Sequence, residues 1–145
     1  MSSVTLSQAD SIIAAALQHG RTASFKPLTV AVLDAGGHLV ALKREDNSSL
    51  LRPQIAIGKA WGSLGLGMGG RDLAKRSAAG PAFMGAMSDL SGGNMVPVPG
   101  GVLIRDASGA IVGAVGVTGD VSENDEACAL AGIRKVGLVA DPGAA

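Results

Sequence analysis

Hydrophobic positions near the start of the chain are spaced as on one face of a helix. Thr5 and Gln8 have the spacing of a capping box, which predicts that the helix begins there. Gly20 is expected to end the helix in a left-handed conformation. Between them the apolar positions recur every three or four residues, and they are Ala9, Ile12, Ile13, Ala16 and Leu17. The pattern predicts an amphipathic helix that packs on a core.

Two pairs of apolar runs, each pair separated by a short turn, predict two β-hairpins. Residues 28–33 and 38–43 flank a turn that contains Gly36 and Gly37. Residues 102–105 and 110–118 flank a second turn rich in small and polar residues. These four runs are the predicted strands.

Helical signals fill the regions between and after the hairpins. A second helix is predicted behind Pro53, with shorter helices over 71–77 and 81–90, and Ser122 is expected to cap the last helix. Residues 62–70 are rich in glycine, which is a poor helix former. Either the second helix ends early, or these glycines allow another backbone to approach closely.

This order of elements predicts an α+β fold, an α/β sandwich in which helices pack on a central antiparallel sheet. A length of 145 residues indicates one domain, 1–145. Hydrophobic residues make up 47% of the chain and glycine adds 22 residues, so a disordered chain is excluded.

The charge balance narrows the possible partners. Twelve basic and twelve acidic residues give no net charge, and aromatic residues are only 2% of the chain. Proteins that bind nucleic acid without sequence preference need clustered cations and stacking rings, so no nucleic-acid partner is expected. So few charges on so apolar a chain predict burial between sister subunits, and therefore a homo-oligomer. We also expect no membrane span and no secretory signal. A single cysteine cannot form a disulfide within the chain, which favours a reducing compartment, so we predict a cytoplasmic protein.

Two histidines are candidate ligands. His19 lies near the end of the first helix, where an imidazolium also complements the helix dipole. His38 follows two glycines at the start of a strand, where it could project into a cleft or simply complete the turn. Both interpretations stay open for each residue.

Two further segments could carry chemistry. Pro99, Gly100 and Gly101 form a stiff, side-chain-poor segment whose backbone N–H groups could bind a carboxylate, although an edge turn explains it equally well. Asp125 and Glu126 follow a strand-to-helix turn. They could stabilise the helix start, act as a general base, or hold a neighbouring Lys59 or arginine.

Four segments together resemble one known family. Residues 30–39 (VAVLDAGGHL), 96–102 (VPVPGGV), 113–119 (GAVGVTG) and 122–127 (SENDEA) are similar, in order and spacing, to motifs of the GlcG/HbpS-like family. This is the haem-degrading-domain family, which also includes the C-terminal part of PduO-type proteins.

The resemblance implies an antiparallel sheet covered by helices, assembled as a tetramer or octamer. It also implies a role connected with haem binding or degradation, corrinoid metabolism or glycolate utilisation. The ligand-binding residues that it implies are His38, Lys59, Pro99, Gly100, Gly101, Asp125 and Glu126.

Two functions follow as hypotheses, and whether the protein is an enzyme stays open. The first is an oligomeric cytoplasmic protein that binds haem or another tetrapyrrole, with His19 or His38 as the iron ligand. The second is a cofactor-independent isomerase or lyase acting on a small oxygenated organic acid, whose carboxylate the Gly100 and Gly101 N–H groups would hold. Its catalytic candidates are Glu126, Asp125, Lys59 and His38.

Overall fold

The computed structural model describes residues 2–145. Within them the helices are α1 (Leu6–Thr22), α2 (Arg52–Leu66), α3 (Gly70–Ala79), α4 (Pro81–Leu90) and α5 (Ser122–Lys135). The strands are β1 (Thr29–Asp34), β2 (Leu39–Arg44), β3 (Gly101–Arg105), β4 (Ile111–Thr118) and β5 (Val139–Asp141).

The strands form one antiparallel sheet in the order β2-β1-β4-β3-β5. Val30 and Val32 of β1 pack into a core shared with α1 and α5, whereas Leu33 packs with Ala60 of α2. Because neighbouring residues of a strand point to opposite faces, α2 covers one face of the sheet and α1 with α5 cover the other. The predicted α+β architecture is confirmed.

Helix α2 does not end early but lies unusually close to its neighbours. A Cβ atom on Gly69 would overlap the backbone of Pro142, and one on Gly70 would lie 2.4 Å from the carbonyl oxygen of Val98. Upstream in α2, a Cβ on Gly58 would be 2.6 Å from Cγ2 of Val96, and from the sheet side one on Gly116 of β4 would overlap the carbonyl oxygen of Ala56. The N–H of Val96 donates to the carbonyl oxygen of Gly58 at 3.1 Å. The glycines therefore allow close backbone approach, which was the second of the two alternatives for this region.

Two predicted helix ends are wrong. Helix α1 continues to Thr22, and Gly20 is buried inside it, where an added Cβ would meet the Leu28 side chain. Ser122 is the first residue of α5 rather than its cap. The turn before α5 is instead held by Asp120, whose Oδ1 accepts from Val121 N at 2.7 Å.

Strand β5 was not predicted. Its three residues pair with β3, and Arg105 Nε donates to Asp141 Oδ2 at 2.9 Å. A three-residue strand is too short to show an alternating pattern, and Pro142 follows it directly.

Candidate functional site

Lys59 of α2 and Asp125 of α5 form an ion pair in the interior. Lys59 Nζ donates to Asp125 Oδ2 at 3.2 Å and to the carbonyl oxygen of Val117 at 2.9 Å. The Lys59 side chain is 4% exposed and the Asp125 side chain 1% exposed. Because α2 and α5 lie on opposite faces of the sheet, the pair joins the two helical layers beside the end of β4.

Burial shifts the pKa of both partners toward their neutral forms. It lowers the pKa of Lys59 and raises the pKa of Asp125, while the attraction between the two charges opposes both shifts. Asp125 Oδ1 also accepts from the backbone N–H of Asp120 at 2.9 Å. The carboxylate thus ties Lys59 to the start of α5, as one of the sequence interpretations anticipated.

Gly100 and Gly101 make room for this lysine. Gly100 has φ +110°, and a Cβ there would lie 2.9 Å from Lys59 Nζ and 2.7 Å from the Val117 carbonyl oxygen. A Cβ on Gly101 would overlap the carbonyl oxygen of Lys59. Both glycines are buried, so they do not form the exposed pair of amides that the sequence suggested. Their role in binding an anion stays a prediction.

Glu126, the neighbour of Asp125, pairs with Arg71 of α3. Arg71 Nε donates to both carboxylate oxygens at 3.0 Å, and Nη2 donates to Oε1. The hydrogen bond with Glu126 raises the pKa of Arg71. The pair borders a cavity of 560 Å³, here called the α3–α5 cavity, whose other lining residues are Pro99, Glu123, Ala127, Leu130 and Ala145.

Sequence reasoning missed Arg71 as a site residue. It lies 55 positions from Glu126, and the signal in the sequence that pointed to this pair was that a carboxylate after β4 could hold an arginine. Among the candidates from the sequence, the α3–α5 cavity brings together Pro99 and Glu126, whereas Lys59 and Asp125 lie in the interior.

His38 lies away from both the Lys59–Asp125 pair and the α3–α5 cavity. Its side chain is 82% exposed on the β1–β2 turn, and its Nδ1 is 3.3 Å from Asp34 Oδ1. Asp34 pairs with Gly113, four residues along β4 from Val117, or about 13 Å at ~3.3 Å per residue. Within one chain, His38 therefore does not share a cleft with the Lys59–Asp125 pair, contrary to the implied arrangement.

His19 is exposed on α1 and lines the groove between α1 and α5. This α1–α5 groove has a volume of 670 Å³, and its lining residues are Ser11, Ala14, Ala15, Gln18, His19, Thr22, Ala131 and Lys135. The imidazole lies edge-on to Phe25, with ring centroids 6.1 Å apart.

The remaining reactive side chain is inaccessible. Cys128 is buried in the core, and burial raises the pKa of its thiol to about 12, so it does not form a thiolate at neutral pH. Across residues 2–145, no three His, Cys, Asp or Glu side chains are grouped to hold a metal ion. No helix in this part of the chain combines the length and apolar character needed to cross a bilayer.

A family model described as "Haem degrading protein HbpS-like" matches residues 4–134. The chain belongs to this HbpS-like family. The resemblance seen in the four sequence motifs is thereby confirmed.

Two solved structures have a similar fold. The structure is similar to a PduOC:haem complex, with a TM-score of 0.84 and 23% identity over 94% of this chain and 97% of the other. It is similar to a double mutant of Streptomyces reticuli HbpS, with a TM-score of 0.80 and 27% identity over 92% and 87% of the two chains.

A Citrobacter freundii relative is described as an uncharacterized 15.0 kDa protein in the dhaT-dhaS intergenic region. It is 27% identical over 99 residues, which are 68% of each chain.

Proposed function

We propose that this protein binds haem or a related tetrapyrrole in the α1–α5 groove, with His19 as the iron ligand. The observation that carries the proposal is an exposed imidazole in the lining of a groove that also contains three alanines. The haem-degrading description of the family and the haem complex of a similar fold supply the ligand class.

The groove residues fit a flat, partly anionic macrocycle. Ala14, Ala15 and Ala131 leave a low apolar surface along the groove, and protein haem sites combine such walls with an axial ligand such as histidine. Lys135 places a cation in the same groove, where it would pair with a propionate. Haem supplies a redox-active iron when bound, and this chain's part is to hold and orient the macrocycle.

His38 is the second candidate ligand that the sequence offered. Its ring contacts Asp34 on an exposed turn, and it lines none of the cavities described above. The structure therefore favours His19, and His38 provides a matched control.

Assembly into a homo-oligomer, as a tetramer or octamer, is part of the proposal. Several large hydrophobic side chains are exposed in the single chain, and a subunit interface that included them would remove their apolar surface from water. They are Leu6, Leu39, Leu50, Leu51, Phe83, Leu90, Val121 and Val139. Light scattering coupled to size-exclusion chromatography tests this point, and a monomer would contradict it. A cytoplasmic location stays a prediction.

The enzyme hypothesis has one supporting observation. Glu126, a candidate proton-transfer group, borders the α3–α5 cavity together with Pro99. Lys59 and Asp125 are buried in their mutual pair, so we assign them a positioning role if this chemistry occurs.

Haemin titration followed by absorption spectroscopy tests the haem proposal. We expect a saturable Soret shift for the wild-type protein and for His38→Ala, and its loss or a change of iron coordination for His19→Ala. Equal spectra for the two variants would overturn the assignment of His19. A linear, unsaturable absorption change for the wild type would overturn haem binding itself.

A further inference from the structure

The outward side of α2 is apolar, whereas two of the polar side chains of this helix, Lys59 and Ser63, are buried inside the chain. On the outward side, positions that are exposed or half-buried recur at alternating intervals of four and three residues. They begin just before the helix and are Leu50, Gln54, Ile57, Trp61 and Leu64, here called the α2 stripe. Gln54 is the one polar member, and none is charged. Apolar residues at this spacing are typical of helices that pair with another helix.

The α2 stripe leads into a small apolar pocket between α2 and α4. Trp61, Gly65 and Leu66 line it from α2, and Met87 and Leu90 line it from α4. The volume of the pocket is 170 Å³, and a cavity of roughly 150 Å³ holds a benzene ring, so the pocket has room for one apolar side chain. Leu90 is 81% exposed at its rim. The apolar surface is therefore continuous from the stripe to α4.

Exposed leucines lie at the opposite end of the α2 stripe. Leu50 and Leu51 are 87% and 61% exposed in the turn that precedes α2. Gly65 of the pocket lies 14 positions beyond Leu51, which is about 21 Å at ~1.5 Å per residue. The two leucines are thus too far away to fill the pocket of their own chain.

The two ends of this surface carry unpaired charges of opposite sign. Arg52, next to the leucines, donates to the hydroxyl oxygens of Ser49 and Thr118 and pairs with no carboxylate within residues 2–145. Asp89, next to Leu90, is exposed and also forms no ion pair in the described part of the chain. A second copy that lies in the opposite direction brings each arginine toward the aspartate of the other copy.

We propose that a second copy of this chain covers the α2 stripe, with the two α2 helices antiparallel about a two-fold axis near Ile57. Ile57 is the middle position of the stripe, so this axis brings Leu50 and Leu51 of each copy to the pocket of the other. A two-fold interface needs a surface that is complementary to itself, and the leucines, the pocket and the two charges provide one. The inference rests on the homo-oligomer proposed above and names the surface that forms it. The α1–α5 groove shares no lining residue with the pocket, so haem binding is a separate question.

Analytical ultracentrifugation of Leu50→Glu tests the surface. Leu50 is exposed in the single chain, so the variant should fold normally, as circular dichroism can verify. In the proposed interface the new carboxylate would be buried without a partner, which is strongly unfavourable. We expect the mass in solution to fall to half of the wild-type value or less. Ala78→Glu adds the same charge on the exposed side of α3 and is the matched control, which should keep the wild-type mass.

The outcomes separate the interface from the oligomer itself. A monomeric wild-type protein would overturn both proposals. An oligomeric wild type whose mass is unchanged by Leu50→Glu would overturn the α2 interface and leave the homo-oligomer standing.

Disulfide cross-linking tests the position of the two-fold axis. The axis places residue 57 of one copy next to residue 57 of the other, and the native Cys128 is buried. Under mild oxidation, Ile57→Cys should therefore give a disulfide-linked dimer in high yield, and Ala78→Cys should give little. Equal yields would contradict the proposed axis. Efficient cross-linking of Lys43→Cys, on the edge strand β2, without cross-linking of Ile57→Cys would place the second copy on the sheet edge and overturn the proposal.

A charge exchange tests the antiparallel direction. Asp89→Lys would face Arg52 of the other copy, so its dissociation constant should rise by about threefold or more. Adding Arg52→Glu to the same chain should restore most of the association. An unchanged dissociation constant of Asp89→Lys, or no recovery in the double variant, would contradict this arrangement of the two ends.

Discussion

Asp125→Asn is the substitution that most directly perturbs the buried ion pair. Asparagine keeps an oxygen that can accept from the Asp120 N–H, but it removes the charge that balances Lys59. The lysine is then left 4% exposed with one neutral partner, the Val117 carbonyl oxygen. Breaking a buried pair from one side costs about 3–5 kcal/mol. At ~2–4 °C per kcal/mol for a chain of this size, the melting temperature should fall by roughly 10 °C.

The stability of this variant should depend on pH in a direction that follows from the pKa of Lys59. Burial already lowers the pKa of Lys59, and the lost carboxylate was the group that raised it. The folded-state pKa therefore falls further below the unfolded value of about 10.5, and the stability contribution of neutral Lys59 is lost as the pH falls through the folded pKa. The loss of folding stability in Asp125→Asn, relative to the wild type, should accordingly become smaller as the pH is raised from about 7 toward 10.

A double-mutant cycle completes the test. Denaturant unfolding monitored by circular dichroism should show that Lys59→Met with Asp125→Asn costs less than the sum of the two single substitutions, since no buried charge is left unpaired. A decrease of less than about 1 kcal/mol in the free energy of unfolding of Asp125→Asn would contradict a strong buried ion pair. Simple addition of the two single-variant decreases in the double variant would contradict it as well.

Two further predictions concern other parts of the fold. Asp120 accepts from Lys26 N, Val121 N and the Asn124 side chain, and these bonds lower its pKa to about 2. Its contribution to stability is present above the unfolded pKa of about 3.8 and is lost as the pH falls toward 2, so Asp120→Asn should flatten the acid side of a melting-temperature profile. An unchanged slope would contradict this. Gly116→Ala should destabilise the protein by about 3 kcal/mol or more in denaturant unfolding because its Cβ overlaps α2, whereas Gly85→Ala, in an open part of α4, should not. Equal stability of the two variants would argue against the close helix–sheet contact.

Local signals in the sequence predicted much of the fold. Thr5 and Gln8 form the expected capping box, and the Gly36–Gly37 turn joins the expected hairpin, with Gly37 at φ +83°. Such signals involve residues only a few positions apart, so the chemistry that decides the conformation is visible in a short stretch of sequence.

Features that depend on distant contacts were not predictable in the same way. Gly20 looked like a helix end, but the helix continues to Thr22, and Gly20 packs inside it against the distant Leu28 side chain. The Arg71–Glu126 pair joins positions 55 residues apart, and only the tertiary structure brings them together. His38 and the Lys59–Asp125 pair seemed parts of one cleft, yet pairing along β4 places them at different ends of the sheet.

The most direct test of haem binding in the α1–α5 groove is to locate the ligand by NMR. Ferric haem broadens nearby amide signals because its iron is paramagnetic, and the zinc porphyrin of the same shape is a diamagnetic control. We predict selective broadening of Ala14, Ala15 and Ala131, with the signals of Arg71 and Glu126 retained. Broadening centred on the β1–β2 turn or on the α3–α5 cavity, with the groove signals unaffected, would contradict the proposed site.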